Sequence, residues 1–424
     1  MEREVLKIQD ESKSFFKNIK QSISCQYDKI YQVRSSSLRP KLKMKAMSLW
    51  SLQDHEIVEL SNIKRDVECC IVGIIFKEMK LQPSILKEVS DEFKFDAKEC
   101  ELNNFTSEED SLILEDGSQR ITLTGNVDVG QFYTGTMVAF YGKEESSGMF
   151  NVEKYTYAGF PPQKSIKIES DTDKYVLIVS GLNIGKQANL ELQLLFDFIS
   201  GLMDCKFASQ VSHLIVAGNN VSKIVLDKEN KSSETDMSYE KAIKGLDEVI
   251  SQLLPDISVD LMPGENDLGS YIMPQKPLHP SMFPLSRKHL NKNFRLASNP
   301  YKCSVNGVDF LGTSGQNITN MSCYSKMESI KILEDTLRAQ HIAPTAPDTL
   351  GCYPFTEKDP FIIEECPHVY FAGNQEKYEH AVKTECDGQK VDLICVPDFT
   401  ITKSAVLYNL SDQSVQELNI SCFL

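Results

Sequence analysis

The spacing of apolar positions changes along the chain, and each change predicts a different kind of element. Near the start, Phe15, Phe16, Ile19 and Ile23 recur at helical spacing and predict a surface helix. Its basic residues read as a solvated face, with contact to DNA or an acidic partner as the sharper alternative. From about 47 to 160 the period shortens towards two. ECCIVGIIFKEM (68–79) is one strand-like run, and Leu112, Ile113 and Leu114 are separated by Asp116-Gly117 from Ile121 and Leu123, a hairpin pattern. Residues 134–162 add two more strands around a turn at Ser146-Ser147-Gly148. From 174 onward, continuous apolar runs alternate with helical stretches. YVLIVSG (175–181), HLIVAG (213–218) and ISVDLMPG (257–264) read as strands buried on both faces. Helices are predicted over 188–204, on a stripe of Leu190, Leu194 and Phe198, and over 238–254, with a polar loop at 227–237 between. After 290 a hairpin turning at Asn306-Gly307, a helix over 325–342 and further strands to 423 complete the pattern.

These elements predict three segments: a helical segment over 1–46, an all-β domain over 47–165 and a layered α/β domain over 166–424. About five strands in a hundred residues predict a small barrel of the OB-fold type. The third segment is expected to pack an α/β half and an antiparallel half as two sheets with flanking helices.

Charge narrows what the barrel does. The chain carries 45 Lys and Arg against 60 Asp and Glu, a formal charge of -15. Residues 1–50 hold 11 basic and 5 acidic side chains, so the remainder is strongly acidic. Residues 87–116 alone hold 11 acidic against 3 basic. Proteins that grip phosphate backbones cluster Lys and Arg, so the balance disfavours that role. Small barrels bind single strands through aromatics, and Tyr133, Phe140, Tyr141, Tyr155 and Tyr157 stand on the barrel strands. The acidity favours packing for them over strand binding. Trp50 has two readings, core packing where the barrel begins or an interface anchor. The 12 cysteines include no C-x-x-C pair and read as reduced, buried thiols. No signal peptide or membrane span is expected, so the protein reads as soluble and intracellular.

In an α/β sheet the chemistry sits on loops at the carboxyl ends of the strands. Here those loops are 180–185, 217–222, 263–267, 313–317 and 372–376, each with a glycine just after an apolar run. This layout resembles the calcineurin-like metallophosphoesterase fold. A working member holds two divalent metals with Asp and His at these loops. In this sequence the corresponding ligand positions are Gly181, Asn183, Asn219, Ser222, Asn266, Asn374 and Glu376. Asparagine supplies neither the anionic oxygen of Asp nor an imidazole nitrogen. The seven histidines, at 55, 213, 279, 289, 341, 368 and 380, all fall outside these positions, and His213 and His368 lead buried strands as structural residues. The resemblance therefore implies a two-sheet sandwich without its metals, with no catalytic residue and no cofactor. The alternative is a phosphodiesterase with an unusual ligand set of Glu265, Asp267 and Glu376.

An OB-fold joined to such a domain is similar to the B-subunits of the eukaryotic replicative DNA polymerases. The segments 261–284, 299–317, 341–355, 365–374 and 396–399 resemble the delta branch of that family. The resemblance implies a non-catalytic subunit that binds the cysteine-rich C-terminal domain of the catalytic subunit and joins it to a third subunit. Contact with the sliding clamp is then indirect, direct DNA contact is slight, and the location is the nucleus. The Pro-rich run at 274–284 reads as a rigid loop suited to docking, or as a plain surface connection.

Overall fold

The computed structural model describes residues 3, 6–16, 26–82, 102–166, 172–185, 190–203, 207–222, 234–385 and 388–423. Among them no helix is long and apolar enough to cross a membrane. Contacts divide the chain into two units: 1–17, 162–316 and 365–424 form one, and 18–161 with 317–364 form the other. This differs from boundaries at 46 and 165. The first 17 residues join the later part because strand β1 (Ile8–Asp10) extends a sheet there, pairing antiparallel across Ile8–Val305 to Asp10–Cys303. Residues 317–364 join the barrel unit through buried polar contacts described below.

In the barrel unit, helix α1 (Asp28–Trp50) is followed by β2 (Ile57–Val58), β3 (Glu68–Glu78), β4 (Ser111–Glu115), β5 (Arg120–Gly125), β6 (Met137–Glu144) and β7 (Phe150–Thr156). Strand β3 pairs with both β4 and β6, so β3–β4–β5–β7–β6 closes on itself, with β2 alongside β3. Only β5 and β7 run parallel within the closed ring. Leu112 and Leu114 alternate with half-exposed neighbours along β4 and point into the barrel. Strand β3 is apolar on both faces for a reason the helix supplies. Ile71 and Ile75 fill the barrel, while Cys70 and Val72 pack under Leu38, Leu42 and Ala46 of α1. The hairpin turns at Asp116-Gly117 and at residues 146–148 fall between the expected strands.

The helix itself departs from expectation. Ile19 and Ile23 lie outside the described residues, and Phe15 and Phe16 sit in a short 3-10 turn. Helix α1 buries Ile30, Arg34, Leu38, Leu42 and Ala46, so a basic residue stands on the buried stripe instead of the solvated face. Trp50 packs against Tyr141 at 5.8 Å.

The other unit contains β1, then β8 (Tyr175–Val179), α2 (Leu190–Ile199), β9 (Val211–Ala217), α3 (Glu234–Leu253), β10 (Ser258–Met262), β11 (Phe294–Leu296), β12 (Tyr301–Val305) and β13 (Val308–Thr313). Helices α4 (Gln316–Cys323) and α5 (Ser329–Arg338) follow, almost wholly in the barrel unit. The chain returns as β14 (Val369–Gln375), β15 (Glu379–Thr384), β16 (Lys390–Pro397), α6 (Phe399–Thr402), β17 (Ser404–Asn409) and β18 (Val415–Asn419). One sheet has the order β11–β10–β9–β8–β17–β18 and the other β1–β12–β13–β14–β16–β15. Both are mixed: the first is parallel from β11 to β8 and antiparallel at β17 and β18, and the second is parallel across β13, β14 and β16 and antiparallel at both edges, which corrects the division into one α/β half and one antiparallel half.

The continuous apolar runs have a structural cause. Val176 and Ile178 of β8, with Val406 of the neighbouring β17, face the second sheet and meet its Phe310, Phe371 and Ile394 in the core between sheets. Leu177 and Val179 face the opposite way, under Leu195, Phe198 and Ile199 of α2 and Leu246 and Ile250 of α3. A strand with both faces covered has no polar position to spare. The apolar stripe of α2 is rotated from the predicted one, and Leu190 is 60% exposed. The turn at Asn306-Gly307 takes positive φ at both residues, as the β12–β13 hairpin requires.

Candidate functional site

The five glycine-bearing loops converge at the carboxyl ends of β8, β9, β10, β13 and β14, and a sixth, at 397–400, joins them. Gly181 has φ +66, and a Cβ there would fall 2.5 Å from the Asp398 carboxyl carbon. Asp398 accepts from the Thr400 N–H at 2.8 Å and its hydroxyl at 2.6 Å, capping α6. Asn183 donates through Nδ2 to Asp398 Oδ2 at 3.1 Å and to Thr400 Oγ1 at 3.0 Å. The Asn183 side chain is thereby spent on a neighbouring loop.

The next two loops are joined by a carboxylate. Asp267 Oδ1 accepts from the Asn220 and Val221 N–H groups at 2.9 and 3.0 Å. Its Oδ2 accepts from Asn220 Nδ2 and the Gly264 N–H, both at 2.7 Å. Burial pushes the Asp267 carboxyl up to about 6, and the four donors work against that rise. All four directions in which this carboxylate accepts hydrogen bonds point at protein. Asn219 accepts the Asn266 N–H at 3.1 Å, while the backbone of Ser222 donates to Ile184 at 3.0 Å. Asn374 donates through Nδ2 to the carbonyls of Ala217 at 3.1 Å and Ser314 at 2.8 Å, linking three loops. Gly315, at φ +96, lies so close to this strand end that a Cβ would stand 1.8 Å from the Gly373 carbonyl oxygen.

A second layer of amides lies beside the third and fourth loops. Asn299 Nδ2 reaches Gln275 Oε1 and Ser314 Oγ at 2.7 Å and Gln316 Oε1 at 2.8 Å. Gln275 Nε2 in turn donates to Ser270 at 2.7 Å and Gly264 at 3.1 Å. Thus the start of the Pro-rich run is fixed by buried amides.

Glu265 and Glu376 are exposed, and Asp267 faces inward. Among the described residues no group of three or more His, Cys, Asp and Glu side chains could hold a metal ion. The unusual ligand set of Glu265, Asp267 and Glu376 is therefore not assembled. The histidines serve elsewhere. His213 Nε2 bonds Asp260 at 2.9 Å, His368 joins Asp309 to the Lys164 carbonyl, and His380 bonds Asp392 at 2.8 Å. In the barrel unit His341 Nε2 lies 2.9 Å from Asp359 Oδ2.

The barrel aromatics are committed too. Tyr133 and Phe140 are buried, Tyr155 meets Phe132 edge-on at 5.1 Å, and the Tyr141 hydroxyl donates to Glu68 at 2.7 Å. Cys69 and Cys70 are buried, and burial pushes the Cys70 thiol up to about 12. Cys25, Cys100, Cys205 and Cys386 lie outside the described residues.

Asp398 is the residue that sequence reading missed. Its signal was present: an Asp directly after an apolar strand, with Thr two positions on, is a helix N-cap pattern. The Asn299–Gln275–Gln316 cluster had no such signal, because its members are far apart in sequence.

Two family models match this chain. One, for the B-subunit of DNA polymerases alpha and epsilon, matches residues 176–380; the other, for the DNA polymerase delta subunit OB-fold domain, matches residues 26–155. The chain is 42% identical over 407 residues to the DNA polymerase delta small subunit of Arabidopsis thaliana, covering 93% of this chain and 91% of that one. The chain belongs to the DNA polymerase delta small-subunit family. The rice member is 40% identical, with 93% of each chain covered, and the Drosophila melanogaster DNA polymerase delta subunit 2 is 32% identical at the same coverage. The OB-fold match falls on the closed barrel, and the B-subunit match falls largely on the sheets that carry the interlocked loops.

Proposed function

We propose that the protein is a non-catalytic accessory subunit of the DNA polymerase delta complex, acting in replication and repair synthesis in the nucleus. In this reading it bridges the cysteine-rich C-terminal domain of the catalytic subunit and a third subunit, and it reaches the sliding clamp only through them. The two-sheet unit is a calcineurin-like fold without its metals, and neither a catalytic residue nor a cofactor is assigned. Membership in the small-subunit family supports the role. The observation that carries the loss of chemistry is Asp267, whose carboxylate accepts four protein donors. A metal ligand must turn a lone pair outward, and this one is wholly engaged. Buried barrel aromatics and the charge of -15 support slight direct DNA contact.

Co-expression with the polymerase delta catalytic chain tests the reading. A complex is expected to survive gel filtration in moderate salt. Absence of any complex, or Mn²⁺-dependent phosphodiester turnover that disappears in Asp267→Ala, overturns it.

A further inference from the structure

At the carboxyl ends of the strands, the interlocked loops turn their amides and carboxylates towards one another and leave large apolar side chains outside. Tyr271 is 73% exposed and Ile401 74%, with Leu268 at 41% and Ile272 at 37%. Each follows a contact that fixes its loop. Leu268 comes directly after Asp267, whose carboxylate fastens the second loop to the third. Tyr271 and Ile272 follow Ser270, whose carbonyl accepts from Gln275 Nε2 at 2.7 Å. Ile401 follows Thr400, whose hydroxyl accepts from Asn183 and donates to Asp398. Strands β10 and β17 stand three places apart in their sheet, so the loops carrying the two groups start ~14 Å from each other. Between them the floor is sealed. A Cβ on Gly264 would stand 2.2 Å from the Asn219 nitrogen, and one on Gly218 2.5 Å from Ser314 Cβ. Exposed apolar residues are ordinary when scattered singly, but four on the loops of one face form a patch.

The charge of this face is negative. Glu265 and Glu376 are exposed, and among the described residues neither forms an ion pair. Asp267 and Asp398 lie between them, held by amides, N–H groups and a hydroxyl. On the other side of the balance, Lys377 is spent on Glu379 at 3.0 Å, Lys403 Nζ donates to the Thr400 carbonyl at 2.8 Å, and Lys276 is exposed. With the Lys377–Glu379 pair set aside, the described strand-end loops and their flanks hold four carboxylates against two ammonium groups. Helices α2 and α3 begin at the same end, and there Glu240 pairs with Lys244. A negative margin around an apolar centre repels a phosphate backbone. It suits a polypeptide that brings apolar side chains flanked by Lys or Arg.

We propose that this face docks a segment of a partner polypeptide that is apolar at its centre and carries Lys or Arg at its margins. A helix with its side chains is about 10–12 Å across, so one helix laid over the sealed floor touches Tyr271 and Ile401 together. Tyr271 has only two side-chain torsions to fix, and the loop behind it is already held by Gln275 and Asp267, so docking costs little freedom. Glu265 and Glu376 then meet the basic margin at the edge of the contact, where charge sets register and partner choice more than affinity. The proposal rests on the accessory-subunit reading for the existence of such a partner and adds where on this chain the partner sits.

The test compares the full chain alone with its complex with the polymerase delta catalytic chain and the third subunit. Hydrogen exchange is expected to show residues 268–272 and 400–402 protected in the complex. Tyr271→Ser/Ile401→Ser changes only exposed side chains. It is expected to weaken the complex roughly tenfold or more while the melting of the isolated chain stays unchanged. Glu265→Lys/Glu376→Lys is expected to weaken it by roughly two- to fivefold, and by less as salt rises. Unchanged affinity in Tyr271→Ser/Ile401→Ser, or tighter binding after the charge reversal, overturns this surface and leaves the accessory-subunit reading standing. Protection of the same residues by a DNA oligonucleotide at moderate salt overturns a polypeptide as the occupant. Failure of the wild-type chain to form any complex overturns the accessory-subunit reading, and the surface with it.

Discussion

Asp359→Ala should release the segment 317–364 from the barrel that it completes. Arg34 of α1 is fully buried, with its Nε 3.1 Å from Asp359 Oδ2. Its remaining donors go to the carbonyls of Pro344 at 2.8 Å, Ala346 at 2.7 Å and Gly135 at 3.1 Å. Asp359 also accepts from His341 Nε2 at 2.9 Å and the Phe361 N–H at 3.0 Å. Removing the carboxylate leaves a buried guanidinium with no counter-charge, which costs ~3–5 kcal/mol. In a unit of this size that corresponds to a melting shift of roughly 6–20 °C. The chain has two units, so a single melt is not a two-state measurement. Hydrogen exchange resolves them: amides of α1 and β3 should lose protection, while those of β8 and β9 serve as the unaffected reference. Replacing both partners, in Arg34→Met/Asp359→Ala, removes the stranded charge. The double variant should therefore be more stable than the sum of the single losses by ~2 kcal/mol. Additive single losses, or a cost of Asp359→Ala below ~1 kcal/mol, would refute the idea that this pair fastens the segment.

The same cluster carries a pH dependence. Burial raises Asp359, but His341 and Arg34 beside it outweigh burial and hold its carboxyl well below the usual range. Burial and then Arg34 lower His341, against the pull of Asp359. The His341 contribution is present at neutral pH and should fade as pH falls below ~6.5, where the unfolded imidazole takes up a proton first. Protection of α1 amides should decline over that range in the wild type and decline less in His341→Gln. The Asp359 contribution should fade only at lower pH, beginning near ~3.9. Gly315→Ala should cost several kcal/mol, on the order of 3, because φ +96 and the Gly373 carbonyl 1.8 Å from the new Cβ act together; chemical denaturation of the two-sheet unit checks it. Asp398→Ala removes the α6 cap and the Asn183 acceptor and should cost ~1–2 kcal/mol, read by exchange of the Thr400 amide. Tyr301→Phe removes a 2.5 Å bond to the buried Asp260, and a loss of ~1.5–3 kcal/mol in denaturant unfolding is expected.

What sequence could show here follows from how far each signal reaches. Turn chemistry is local, so Asp116-Gly117 and Asn306-Gly307 marked their hairpins directly. Burial on two faces is also local, and the runs at 175–181 and 213–218 became central strands. Charge was a weaker guide, because a charged side chain is placed by its partner. Arg34 read as solvated while Asp359, 325 positions away, holds it in the barrel unit. The same distance hid β1, whose register depends on β12 nearly three hundred residues later. The candidate site divides on this line. The strand-end loops could be read one by one, since each carries its glycine after its own strand. What holds the loops to one another could not. The strand-end loops are held by Asp267, Asn183, Asn374 and Asp398 through bonds that span neighbouring loops, and only Asp398 sits in a recognisable local pattern. A site that binds metal leaves ligands facing inward towards a space, whereas here amides and carboxylates of different loops face each other. Each asparagine bonds across to another loop, so those at 183, 219 and 374 act as fasteners between strand ends.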